Sequence, residues 1–102
     1  MDLKLKEKTV LVTGASKGLG KASALALARE GADVIIVSRN GEALRAAQQE
    51  IETETQRKAV AIVADVSKAK EIARLYAKVK QHTDRLFGLV CNAGGPPAGS
   101  FL

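Results

Sequence analysis

Several kinds of protein are excluded by what this sequence has little of. It holds a single cysteine, Cys91, so no internal disulfide can form, and that usage suits a reducing cytoplasm. There is one histidine, His82, and no cluster of ligand-type side chains, so no metal site is expected. Tryptophan is absent and aromatics make up 3% of the residues, leaving little to stack on bases. Lysine and arginine outnumber acidic residues 16 to 11, for a net charge of +5, yet they are interspersed with acids rather than blocked together. Nucleic acid is therefore not the expected partner, and a phosphate-bearing small molecule accounts for the charge better. No run of about 20 apolar residues occurs, and "MDLKLKEKTVLVTG" has no apolar core before a small-residue cleavage site. No membrane association is expected, and the location is expected to be cytoplasmic.

What remains is a chain of 102 residues, 46% apolar and 26% charged, which fits one small α/β domain. Four short runs, "TVLVTG" (9–14), "DVIIVSR" (33–39), "AVAIVAD" (59–65) and "LFGLVCN" (86–92), are too short for helices and continuously apolar. Such runs suit parallel strands covered on both faces. Helical patterns lie between them. The first, 19–30, is alanine-rich and stops at Gly31. The second, 42–55, follows Asn40 as N-cap and carries a stripe of Leu44, Ala47 and Ile51. The third, 69–82, follows Ser67 as N-cap and carries Ile72, Leu75, Tyr76 and Val79, with His82 at its end. Right-handed crossovers then put helices one and two on one face and helix three on the other, with strand order 3-2-1-4. This is the front half of a doubly wound sheet, with no internal repeat beyond the βα unit and no linker.

In such a sheet ligands bind at the carboxyl ends of the strands. Strand one runs into "TGASKGLG", where Gly14 permits the tight turn, Gly18 the approach of a pyrophosphate, and Gly20 close contact with the helix. Strand two ends in "VSRN". A fold that binds NAD places a carboxylate here to accept from the ribose 2′-OH, whereas Ser38 and Arg39 stand in this chain. A guanidinium suits a 2′-phosphate, with Lys17 within reach of the same group, so NADP(H) is favoured over NAD(H). After strand three, Asp65 either caps the next helix or hydrogen-bonds an adenine amino group while Val66 packs on the ring. After strand four, Asn92 and the small residues behind it suit either a loop or the close approach of a flat ligand.

TGxxxGxG over 13–20, the Asp65-Val66 pair and "NAG" over 92–94, in this order and spacing, resemble the short-chain dehydrogenase/reductase family. The resemblance covers the whole chain. It implies a Rossmann-type fold and hydride transfer between a nicotinamide cofactor and a small carbonyl or alcohol substrate. "TGASKGLG" with Arg39 resembles the NADP-preferring branch, in which 3-oxoacyl-thioester reductases are common. The family's cofactor contacts fall on Gly14, Ser16, Lys17, Gly18, Leu19, Gly20, Arg39, Asp65, Val66, Asn92, Ala93 and Gly94. Cys91 departs from the family, which usually has a second Asn there, and is expected to be a buried strand residue.

The resemblance also implies a catalytic Ser, Tyr and Lys beyond the "NAG" strand, hence beyond Leu102. Residues 1–102 then form the NADP(H)-binding amino-terminal part of a single Rossmann domain, truncated after strand four. This chain is expected to be inactive alone, while the full-length parent is an enzyme and a homo-oligomer. A non-catalytic nucleotide-binding or dimerisation module is the alternative. Were the chain complete, strand four would be an open edge and the face under helix three would lack neighbours. "YAKVK" over 76–80 satisfies Tyr-x-x-x-Lys, but it precedes strand four instead of following strand five. Tyr76 is therefore expected to be a core residue on the helix-three stripe, beside a surface Lys80. Ser100 has no visible base partner and is not a catalytic candidate.

Overall fold

The computed structural model describes residues 8–83 and 85–91. Its elements run β1 (Thr9–Thr13), α1 (Gly18–Arg29), β2 (Asp33–Ser38), α2 (Gly41–Thr55), β3 (Ala59–Val63), α3 (Ala69–His82) and β4 (Gly88–Val90). All pairings are parallel and the strand order is β3-β2-β1-β4, as the crossover rule predicts. Among the described residues no helix is long and apolar enough to cross a membrane.

Alternation along β1 and β2 sends successive side chains to opposite faces. Val10, Val12, Val34 and Ile36 pack with Ala24 and Ala28 of α1 and with Leu44, Ala47 and Ile51 of α2. Leu11, Ile35, Val37 and Ile62 pack with Leu75 and Val79 of α3. Helices α1 and α2 thus share one face and α3 takes the other. The alanines of α1 let that helix lie close to the sheet, while fully buried Leu44 and Ile51 carry the α2 contact, each stabilising by about 1.5–3 kcal/mol.

The helix ends are set by identifiable residues. α1 stops in a Schellman turn: Gly31 takes φ 97°, its N–H donates to the Ala28 carbonyl, and the Ala32 N–H donates to Leu27. Asn40 caps α2, its Oδ1 accepting the Ala43 N–H at 3.0 Å. At the other end of α2, Gln56 adopts the left-handed conformation with φ 57°. Glu71 lies in the first turn of α3 and Lys80 and His82 in its last, in accord with the helix dipole.

Three expectations are corrected. Ser67 does not cap α3; Lys68 holds that position with no side-chain capping bond. The Ser67 hydroxyl and N–H both donate to Asp65 Oδ1 instead, at 2.6 and 3.0 Å, which ties Ser67 into the turn before the helix. The α3 stripe is narrower than its periodicity suggests: Leu75 and Val79 are buried, but Ile72 is 49% and Tyr76 64% exposed. At 100° per residue Tyr76 lies about 80° around the helix from the Leu75–Val79 axis, so it overhangs the sheet and is not a core residue. β4 is three residues long instead of seven, with Leu86 and Phe87 exposed before it and Cys91 half-buried after it. Leu89, on the α3 face of β4, is also exposed, so the open edge and uncovered face expected for the chain alone are present among the described residues.

Candidate cofactor site

Parallel register aligns the carboxyl ends of β1, β2 and β3 on one edge, with Thr13 beside Val37 and Ser38 beside Val63. The turn over 14–17, the segment over 38–40 and the segment over 64–67 therefore meet there. Two backbone bonds hold them together: Ala15 N–H donates to Val37 O at 3.1 Å, and Ala64 N–H to Ser38 O at 3.0 Å.

The turn has the conformation its glycines allow. Gly14 and Gly18 both take φ 62°, where a side chain is strained, and this reverses the chain from β1 into α1. Gly20 serves a different purpose. A Cβ there would overlap the Gly14 carbonyl oxygen and lie 2.7 Å from its carbon, so only glycine lets the first turn of α1 sit against the loop. Lys17 is the N-cap of α1 but makes no side-chain capping bond, and the first turn holds no acidic residue. The helix thus presents N–H groups and partial positive charge to this edge, uncompensated by a local carboxylate. Lys17 and Leu19 are exposed there.

At the end of β2 a side-chain chain links three segments. Ser38 Oγ accepts the Asn40 N–H at 3.2 Å and donates to Ser16 Oγ at 3.0 Å, while Asn40 Oδ1 is engaged in the α2 cap. Arg39 stands between these two residues, exposed.

At the end of β3, Asp65 is both a turn former and a charged wall. Donation from the Ser67 hydroxyl, then from the Ser67 N–H, holds its carboxyl below the usual range, with smaller contributions from the Arg39 and Lys68 charges. The Asp65 N–H donates to Glu71 Oε1 at 3.3 Å, and Arg74 bonds both Glu71 and the Val63 carbonyl. Glu71 is held below its ordinary value, first by Arg74 and then by the Asp65 N–H, and Arg74 is raised by Glu71. Val66 is partly exposed beside Asp65, available to lie on a flat ring. The Glu71–Arg74 brace was missed in the sequence; its signal was an acid and a base at i, i+3 in the first turns of a helix.

The structure thus brings Gly14, Ser16, Lys17, Gly18, Leu19, Gly20, Arg39, Asp65 and Val66 to one edge. Asn92, Ala93 and Gly94 lie outside the described residues. Tyr76 and Lys80 do meet, with Lys80 Nζ 5.3 Å from the ring centroid, but on the exposed flank of α3.

A parallel sheet ordered 3-2-1-4, with a glycine turn opening onto a helix that has no side-chain cap, defines a Rossmann-type α/β unit. The particular class follows from comparison. The family model for short chain dehydrogenase matches residues 8–102, and the chain belongs to that family. The hydroxynaphthalene reductase-like protein Arp2 of Metarhizium anisopliae is 40% identical over 89 residues, covering 85% of this chain and 33% of that protein. L-sorbose reductase from Gluconobacter frateurii, solved complexed with NADPH and L-sorbose, superposes with a TM-score of 0.89 at 26% identity, over 99% of this chain and 38% of that one. The Pseudomonas aeruginosa RhlG/NADP active-site complex gives a TM-score of 0.83 at 34% identity, over 89% of this chain and 36% of that one. The chain spans about a third of the length of the curated relatives it matches, 31% and 33% for two of them.

Proposed function

We propose that the full-length protein is an NADP(H)-dependent oxidoreductase that exchanges a hydride with a small carbonyl or alcohol substrate, with 3-oxoacyl thioesters as a candidate class. Residues 1–102 supply the cofactor-binding part of its single Rossmann domain. The catalytic Ser, Tyr and Lys lie outside this sequence, so the 102-residue chain binds cofactor without turnover. The parent is cytoplasmic and a homo-oligomer.

The observation that carries the cofactor preference is the end of β2. Ser38, Arg39 and Asn40 stand where a carboxylate would serve the ribose of NAD, and Arg39 and Lys17 are both exposed on that edge. The donor set fits the group: the Gly14–Gly18 turn and the N-terminus of α1 suit a pyrophosphate, and Arg39 with Lys17 suits a 2′-phosphate. The NADPH and NADP complexes of two structural neighbours support the same reading. When bound, the nicotinamide supplies the hydride. The residues of this chain hold and orient it: the glycine turn receives the pyrophosphate, Asp65 and Val66 receive the adenine, and Asn92, Ala93 and Gly94 complete the set of cofactor contacts.

Arg39→Asp in the full-length protein tests the reading. Loss of a charge-assisted bond worth about 1.5–3 kcal/mol should weaken NADPH by roughly 10- to 150-fold, and the new carboxylate should improve NADH. Unchanged NADPH affinity removes Arg39 from the site.

A further inference from the structure

We propose that Gln48, Glu52 and Arg74 close the β3 edge of the sheet against strand addition by a second copy of this chain. β3 is the end strand in the order β3-β2-β1-β4, so alternate backbone groups along it face away from β2. The Ala64 N–H donates to Ser38 O, which fixes the phase: Val60, Ile62 and Ala64 bond toward β2, and Ala59, Ala61 and Val63 face outward. Side chains from both faces of the sheet meet those outward groups. Gln48 Nε2 donates to the Ala59 carbonyl at 2.6 Å, and Glu52 Oε2 accepts the Ala59 N–H at 3.0 Å. The two residues stand at i, i+4 on one flank of α2, so together they offer Ala59 the donor and the acceptor that a neighbouring strand would. From the opposite face, Arg74 of α3 donates to the Val63 carbonyl at 3.0 Å. Each direction is fixed by the backbone partner, since a carbonyl only accepts and an N–H only donates.

Without these three side chains β3 would be an edge prone to pairing. Its sequence, AVAIV, is uncharged, rich in β-branched residues and free of proline and glycine. Ala59 and Ala61 lie in the layer under α1 and α2, and Val60 and Ile62 in the layer under α3. A second β3 across a two-fold axis would therefore extend both apolar layers. Such pairing needs the outward groups in succession, at about 6.6 Å from one outward residue to the next. With both groups of Ala59 and the Val63 carbonyl taken, only the Ala61 pair and the Val63 N–H stay open among the described residues. The β4 edge has no side chain on its backbone groups among the described residues, so one edge of this sheet is closed and the other is left free to pair.

The experiment measures light-scattering mass and amide hydrogen exchange of the full-length protein, as wild type and as Gln48→Ala/Glu52→Ala/Arg74→Ala. The control is Gln49→Ala/Glu54→Ala, which removes a glutamine and a glutamate from the exposed side of α2 without touching β3. As concentration is raised, the triple variant should reach about twice the mass of the wild-type assembly or more, while the control keeps the wild-type mass. Adding Val63→Lys, at a side chain 47% exposed on the edge, should return the triple variant to the wild-type mass. A folded triple variant that holds the wild-type mass, a control that associates equally, or association that Val63→Lys does not reverse overturns the inference. If the triple variant does not fold, the wild type decides: its Ala59 amide should exchange at least about tenfold slower than its Ala61 amide, and equal rates overturn the closure. None of these outcomes depends on which cofactor the protein binds.

Discussion

Replacing Gly20 by alanine is the sharpest test of how the turn and helix α1 fit together. Two effects of opposite sign compete. Gly20 lies inside a helix, where alanine is preferred over glycine by about 1 kcal/mol. Against this, the added Cβ overlaps the Gly14 carbonyl oxygen, lies 2.7 Å from Gly14 C and 3.2 Å from Ala15 Cα. All of these are backbone atoms of a turn fixed by a left-handed glycine and by the Ala15–Val37 bond, so none can rotate away. Overpacking of this kind costs about 1–3 kcal/mol. The net expectation is destabilisation by up to about 2 kcal/mol.

Gly41 provides the matched control. It is also in a helix, at the start of α2, but a Cβ there first meets Val63 Cγ2 at 3.4 Å, an ordinary contact with the end of a side chain. Gly41→Ala should therefore gain a few tenths to about 1 kcal/mol. Urea unfolding of the two variants, read as midpoints at constant m, gives a difference from which helix propensity largely cancels. The displaced Gly14 carbonyl also shifts the cradle for the pyrophosphate, so NADPH affinity should fall about tenfold or more in Gly20→Ala alone, equivalent to at least ~1.4 kcal/mol. If Gly20→Ala matches Gly41→Ala in stability and keeps its NADPH affinity, the turn and helix are not in the contact described.

Two further outcomes follow from packing and charge. Ile51→Ala should cost about 2–5 kcal/mol in urea unfolding because the side chain is fully buried between α2 and the sheet, whereas Tyr76→Ala should cost less than about 1 kcal/mol and leave NADPH affinity unchanged; a Tyr76 variant as damaging as Ile51→Ala would place that ring in the core. Asp65 titrates below its unfolded value of 3.8, so the unfolded state binds more protons in that interval. Its stabilising contribution is complete above the unfolded pKa and disappears as pH falls through the lower folded value. Asp65→Asn should accordingly flatten the acid limb of the stability curve and leave its slope above about pH 5 unaltered, and a changed slope near neutral pH would contradict the assignment.

Much of the architecture was legible because it rests on local rules. The β-branched run "VIIV" and the Leu44–Ala47–Ile51 stripe have one physical solution each, and crossover handedness then orders the strands. The Asn40 cap was legible because nothing nearby competes for its side chain. Ser67 was misread because Asp65, two residues earlier, offers its hydroxyl a charged acceptor, and a charge-assisted bond outweighs a capping bond. The glycine turn was legible from spacing alone. The Ser38–Ser16 bond was not, because it joins residues 22 apart through the register of two strand ends, and no periodicity encodes that.

The Tyr76–Lys80 pair shows where spacing stops carrying chemistry. The i, i+4 interval does bring the two side chains together, ammonium over ring, as any helix would. What it cannot set is where on the sheet they lie. α3 begins at the carboxyl edge, where Asp65 and Lys68 are bonded, and ends at the opposite edge, where His82 shares a cavity with Thr9 and Asp33. Tyr76 is seven residues into that helix, about 10 Å along it from the edge that carries the glycine turn. A proton donor must come within about 3 Å of the atom it serves. Periodicity likewise records that Ile72 and Tyr76 are apolar at helical spacing, but not which surface they meet, and here the sheet receives only Leu75 and Val79. A dyad is therefore defined by the strand end that presents it, and the sequence interval is only its necessary condition.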